Sequence, residues 1–237
     1  MTTGVKSLDI CLSPELLHLY DVTGKTVVVT DILRATSCMV TAFGNGVKTI
    51  KPYADLDSCR DAAAAGYETS GERNGIKVEG FHRGNSPFEY MGSDIRGKQL
   101  AFTTTNGTQA IEKSRQAAAL LIGAFLNIGA VADACRASGM PVLIVCAGWK
   151  GRFNLEDTLF AGALAEQLSD DFNAEDDSVL AAVQLWQSAK SDVSSFVQRS
   201  SHVRRLNRLN IHEDFDYCLK TDLYQVVPRL EGDHLVA

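Results

Sequence analysis

Four stretches of this sequence gather residues able to do chemistry on an anion. Asp31-Ile-Leu-Arg34-Ala-Thr36-Ser37 follows the apolar run TVVVT. Gly71-Glu72-Arg73, with Gly84-Asn85-Ser86-Pro87, makes a second loop. Thr103-Thr104-Thr105-Asn106-Gly107-Thr108 closes the QLAFT run, and Cys146-Ala-Gly148-Trp-Lys150-Gly151-Arg152, then Leu155-Glu156-Asp157, follows PVLIV. Gly and Thr allow close backbone approach, and helix N-termini present free N–H groups to anions. Arg34, Arg73 and Arg152 add planar forks that match phosphate, carboxylate or sulfonate oxygens. Asp31, Glu72, Glu156 and Asp157 sit among these groups, and carboxylates beside an anion site call for a cation between them and the ligand. Mg²⁺ suits that place, since it uses one or two carboxylates with phosphate oxygens and waters. The chemistry implied is phosphoryl transfer, which rests on positioning and charge neutralisation. No GxxxxGK[ST] motif is present, so ATP is not implied.

Each feature also has an ordinary structural reading. Asp31 suits a strand-end turn, Thr103 to Thr105 a strand, and Asn106-Gly107 a turn. Asn106 or Thr108 suits a helix N-cap, and Glu156 with Asp157 a helix N-terminus. The arginines suit surface salt bridges. Cys146 and Arg152 form a C-x5-R spacing on a strand–loop–helix, as in cysteine phosphatases, where a thiolate attacks phosphorus. Phe153 stands where those enzymes usually have Ser or Thr, and Val145 where they usually have His. A buried, inert thiol at a strand end is the alternative for Cys146.

What unites the stretches is the scaffold that must position them. Strands are expected over 26–33, 47–53, 99–105, 118–125 and 141–147. Helices are expected over 35–43, 55–65, 107–116, 128–137 and 155–168. That alternation predicts an α/β protein: three α/β/α layers, mostly parallel strands, and a C-terminal helical portion around 174–219. One domain over 1–237 is expected, with two interlocked α/β lobes as the alternative. The tail LYQVVP is expected to return as a strand. Right-handed crossovers place the loops after the strands along one edge, where ligands bind in such folds. The arginines around Arg199, Arg204, Arg205 and Arg208 suit a solvated helix face, or else a lid over the site.

Composition narrows the partners. Lys plus Arg is 23 and Asp plus Glu is 29, giving −6, which argues against a general nucleic-acid binder. No membrane span or leader is evident, and no two of the six cysteines stand at C-x-x-C spacing, so a cytoplasmic protein with free thiols is expected. His18, His82, His202, His212 and His234 show no metal-ligand spacing. A homodimer is the default expectation, because closed two-fold dimers dominate among soluble oligomers.

Taken in order, the motifs resemble the 2-phosphosulfolactate phosphatase family. The matching segments are VVVTDILRATSCMVTAFGNG (27–46), SGERNG (70–75) with GNSP (84–87), FTTTNGTQAI (102–111) and VCAGWKGRFNLEDTLFAGAL (145–164). A weaker match runs through His202-Val-Arg-Arg205-Leu, Asp214 and Val227-Pro228. The resemblance implies a Mg²⁺-dependent phosphatase converting 2-phospho-3-sulfolactate and water to 3-sulfolactate and phosphate, a step towards coenzyme M. A related phosphorylated hydroxy acid is the alternative substrate. On this reading Asp31 and Glu156 or Asp157 hold the metal, and Asp31 could instead be a nucleophile. Thr104, Asn106, Gly107 and Arg152 cradle the phosphoryl group. Arg34 and Arg73 hold the carboxylate and sulfonate, with Asn85 and Cys146 nearby, and Glu72 acts as general acid or base. The competing readings are a metal-independent cysteine phosphatase using Cys146 and Arg152, and a non-catalytic polyanion-binding protein.

Overall fold

The computed structural model describes residues 6–174, 176–208 and 213–237, and all of their side chains except those of Asn207 and Arg208. Its strands are β1 (Lys6–Cys11), β2 (Thr26–Thr30), β3 (Thr49–Pro52), β4 (Glu68–Arg73), β5 (Ile76–Lys77), β6 (Gln99–Thr103), β7 (Ala119–Gly123), β8 (Val142–Cys146), β9 (Phe172–Asn173), β10 (Arg229–Glu231) and β11 (His234–Val236). Its helices are α1 (Ala35–Gly44), α2 (Leu56–Asp61), α3 (Gly107–Lys113), α4 (Ile128–Ser138), α5 (Leu155–Leu168), α6 (Asp177–Ala189), α7 (Val193–Val197), α8 (Ser201–Arg208) and α9 (Glu213–Cys218). The protein is α/β, with a mixed, mostly parallel sheet and helices from α5 to α9 following its last long strand. Positions 175 and 209–212 of the expected helical portion, His212 among them, lie outside the described residues.

The sheet runs β5-β4-β6-β3-β11-β10-β7-β2-β8-β1-β9. Two blocks of parallel strands, β4-β6-β3 and β7-β2-β8-β1-β9, are joined by the antiparallel β10–β11 hairpin. Every residue of β2 and β8 is buried, on both faces of the sheet. That is why TVVVT and VLIVC carry no polar alternation: a parallel strand covered on both faces has no wet side.

Register brings the strand ends level within each block. Thr30 pairs with Gly123 and Cys146, and Gly71 pairs with Thr103. Asp31, Glu72 and Thr104 follow these residues at the C-terminal edge.

The structure departs from the expected elements in several places. The first strand stops at Thr30, because Asp31 already turns the chain into α1. Residues 70–73 belong to β4 rather than to a loop. The helix over 55–65 divides into α2 and a 3-10 turn at Ala62–Ala65, closed by Gly66 at φ 86°. The tail strand is not at LYQVVP: residues 223–228 are irregular, and the strands lie at 229–231 and 234–236. Gly232, at φ 57°, turns that hairpin. Strand β1, at the start of the described chain, lies outside the expected strands, because Lys6, Ser7 and Asp9 break up its apolar residues.

Candidate active site

Asp31, Arg34, Glu72, Asn85 and Asn106 line one small cavity at the sheet's C-terminal edge, together with Leu33, Gly75, Trp149, His202, Arg205 and Leu206. Its open volume is about 20 Å³, room for roughly one water molecule. The sheet edge supplies one wall and α8 the opposite one.

Asp31 is held by the turn that starts α1. Its backbone N–H donates to Thr36 Oγ1 (3.0 Å), and Thr36 Oγ1 and N–H both donate to its carbonyl (3.0 Å each). The carboxylate receives only a long contact from Ala35 N–H to Oδ1, at 3.4 Å, so its oxygens remain largely available. Burial pushes its pKa up to about 6; Glu72 and Glu156 push the same way, while His202 and the Ala35 N–H oppose them. A Cβ on Gly107 would lie 2.9 Å from Asp31 Oδ2 and 2.8 Å from Ala35 Cβ, so only glycine lets α3 begin this close to the carboxylate. Thr104 is buried behind it, trading hydrogen bonds with Thr108. Asn106 Oδ1 accepts the Lys150 N–H at 3.0 Å, tying two of the loops together.

Glu72 is fixed at both oxygens: Thr105 N–H donates to Oε1 (2.7 Å) and Gly75 N–H to Oε2 (2.5 Å). Arg34 is buried and ion-paired with Asp214, and Nη2 reaches the Gly75 carbonyl at 3.3 Å. Ser86 Oγ donates to the other Asp214 oxygen at 2.6 Å. Asn85 is buried, and its Oδ1 has no partner.

The two acidic residues at the start of α5 differ. Asp157 accepts from Ile32 N–H (2.8 Å) at Oδ1, and from Gly148 N–H (3.0 Å) and Asn154 Nδ2 (2.9 Å) at Oδ2. Both its oxygens are committed to clipping the β2 and β8 loops together. Burial, then Asp31 and Glu156, push its pKa well up. Glu156, 0% exposed, bonds His202 Nδ1 through Oε1, while Oε2 is buried with no partner. An orphaned carboxylate oxygen on Glu156, near enough to Asp31 for its charge to push the Asp31 pKa up, fits a hard cation that completes its shell with water and ligand oxygens. Asp157 does not fit that role. Among the described residues no cluster of three or more metal-ligating side chains occurs, which Mg²⁺ does not require.

Of the expected site residues, Thr104, Gly107, Glu156 and Asp157 are packed around the cavity's lining without forming it, and Arg73, Arg152 and Cys146 are turned elsewhere. Arg73 points away from Glu72, donating to the Glu72 carbonyl (2.7 Å) and Thr103 Oγ1 (2.9 Å). This follows from strand alternation: neighbours on β4 face opposite sides. Arg152 is exposed, its backbone bridged to Trp149. Cys146 is 0% exposed, and burial followed by Asp157 pushes its thiol pKa well up. A thiol enclosed at a strand end, away from the cavity, is poorly placed to attack a substrate, which counts against the C-x5-R reading.

His202, Arg205 and Leu206 reach the cavity from α8, so the solvated-face expectation for this segment holds only for its other side, with exposed Ser201 and Arg204. The Arg208 side chain lies outside the described residues. The signal in the sequence is the i, i+3, i+4 spacing of these three residues, one face of a helix.

No helix among the described residues is long and apolar enough to cross a membrane.

A family model described as 2-phosphosulpholactate phosphatase matches residues 11–233. A protein of Gloeobacter violaceus named "Probable 2-phosphosulfolactate phosphatase" is 40% identical over 223 residues, 92% of each chain. Proteins of the same name from Caldanaerobacter subterraneus subsp. tengcongensis and Thermotoga maritima are 38% identical over 218 residues and 40% over 206. They cover 90% of both chains, and 87% of this chain with 89% of the relative, respectively.

Proposed function

The chain belongs to the 2-phosphosulfolactate phosphatase family, and on that premise we propose that it is a Mg²⁺-assisted phosphoric monoester hydrolase acting on 2-phospho-3-sulfolactate. The products are 3-sulfolactate and phosphate. The observation that carries the metal-assisted reading is the buried Glu156 Oε2, unpartnered among the described residues, whose charge is felt by the open carboxylate of Asp31 at the edge where four sequence motifs meet.

Asp31 and Glu156 would hold the cation, with His202 fixing the Glu156 carboxylate through Oε1. Bound there, Mg²⁺ would neutralise phosphoryl oxygens and so lower the cost of charge developing in transfer. Gly107 and Asn106 bound the space beside Asp31, where backbone and amide donors can meet the phosphoryl group. Glu72 is held by two N–H donors with lone pairs to spare, so it can orient an attacking water and accept its proton. Arg34, neutralised by Asp214, acts as a strut that links the first loop to α9.

The test is phosphate release from a panel of 2-phospho acids, with Mg²⁺ and with EDTA. Release from 2-phosphosulfolactate that stops in chelator and returns with Mg²⁺ is the expected result. Release unaffected by EDTA removes the metal, and binding without any release leaves a polyanion-binding protein.

A further inference from the structure

The site contains a cationic group that the sheet edge does not supply. Arg205, on α8, lines the cavity, and its Nε and Nη2 are shut off from solvent yet donate to nothing among the described residues. Guanidinium N–H groups left bare inside a protein are costly, so their acceptor is expected to arrive with a ligand. The guanidinium carbon lies 3.2 Å from the centre of the Trp149 ring, and Trp149 in turn packs on His202 at 5.4 Å. His202 is anchored to Glu156. The plane of the Arg205 fork is thereby fixed before any ligand binds.

The other arginines are engaged elsewhere. Arg34 is neutralised by Asp214, Arg73 donates away from the cavity, and Arg152 is exposed outside it. Among the described residues lining the cavity, Arg205 is the guanidinium with donors to spare. The sheet-edge wall carries Asp31 and Glu72, the side suited to the cation and the reacting phosphoryl group. Arg205 faces it from α8.

We propose that Arg205 binds the non-reacting oxyanion of the substrate, its carboxylate or sulfonate, through a fork stacked on Trp149. This rests on the phosphatase reading above. The open volume is only about 20 Å³, so the cavity must widen to admit a substrate.

The experiment pairs kinetics with binding in wild type, Arg205→Gln and Arg205→Lys. Kinetics use 2-phosphosulfolactate with Mg²⁺; binding is followed by Trp149 fluorescence in a Trp186→Phe background. The binding probes are 3-sulfolactate, which carries both non-reacting oxyanions, and inorganic phosphate. In Arg205→Gln, KM should rise about 10- to 100-fold, the scale of a lost charge-assisted hydrogen bond, with kcat within about threefold. Affinity for 3-sulfolactate should fall by a similar factor while that for phosphate stays put. Arg205→Lys, which keeps charge without the fork, should recover only part of both and serves if the Gln variant does not fold. Unchanged KM, a loss carried by kcat, or lost phosphate binding with 3-sulfolactate binding retained overturns the proposal. So does a wild type that does not bind 3-sulfolactate. A wild type that releases no phosphate from the substrate instead fails the phosphatase reading, and the 3-sulfolactate titration still judges Arg205.

Discussion

Asp31 combines the properties the chemistry needs: it is buried, its carboxylate oxygens are little used, and it stands directly after a rigid strand. Asp31→Asn keeps the shape and removes the charge, so kcat should drop at least ~10²-fold, the scale of an electrostatic or acid–base contribution. Turnover near the wild-type value would take Asp31 out of the reaction. Gly107→Ala probes the same corner sterically: the new methyl must displace Asp31 or Ala35, so activity should suffer far more than the melting temperature. Cys146→Ala answers the rival chemistry. A buried thiol with no role leaves kcat within about threefold, whereas abolished turnover that EDTA never affected in the wild type would restore the cysteine mechanism. Asp31, Asn85 and Asn106 were legible in the sequence because each stands in a polar loop along the sheet edge. His202 and Arg205 were harder to read, because SHVRRLNR looks like a solvated helix until one knows what α8 covers.

At the scale of elements, Asp157 is the joint between the β2 and β8 loops. Removing its side chain leaves the N–H groups of Ile32 and Gly148 and the amide of Asn154 without their acceptor, all within a buried region. Asp157→Ala should therefore lower unfolding stability by about 3 kcal/mol, the scale of leaving buried donors without their acceptor. Urea melts with an unchanged m-value would measure it; a loss under ~0.5 kcal/mol would mean the two loops hold their positions without the clip. Acidic residues at a helix start read equally as dipole partners or as ligands, and sequence alone does not separate Glu156 from Asp157. What does is which oxygens the neighbouring backbone N–H groups reach. The strands differ in legibility for a similar reason. β2 and β8 are unbroken apolar runs because both faces are covered, whereas β10 and β11 show half-exposed Arg229, Glu231 and His234. Their only strong mark is the two-residue Gly232-Asp233 turn, outweighed by the more apolar Val226-Val227 just before it.

At the scale of the whole molecule, folding brings Asp31, Glu72, Glu156 and Asp157 near enough to feel one another's charge, with Arg34 already neutralised by Asp214. That concentration of carboxylates is a burden on the metal-free fold, and it makes stability depend on pH in a direction that can be worked out. The Asp31 pKa rises from 3.8 in the free side chain to about 6 in the folded protein. Through Asp31, a folded state that holds the proton more tightly than the unfolded chain loses stability as pH climbs from about 4 to about 6, and Asp157, pushed well up, extends that loss to higher pH. A divalent cation reverses the balance because it binds the ionised carboxylate and not the protonated one. Mg²⁺ at a hundred times its dissociation constant should contribute about 2.7 kcal/mol. For a chain of this length that raises the melting temperature by roughly 5–10 °C. The gain should be full at pH 8 and fade below about pH 6, as Asp31 takes up its proton. Thermal melts at pH 5 and pH 8, each with Mg²⁺ and with EDTA, measure all four states. A Mg²⁺ effect that grows on acidification, or none at pH 8, would mean the carboxylates at the sheet edge do not share a cation, and that their charge is balanced within the protein alone.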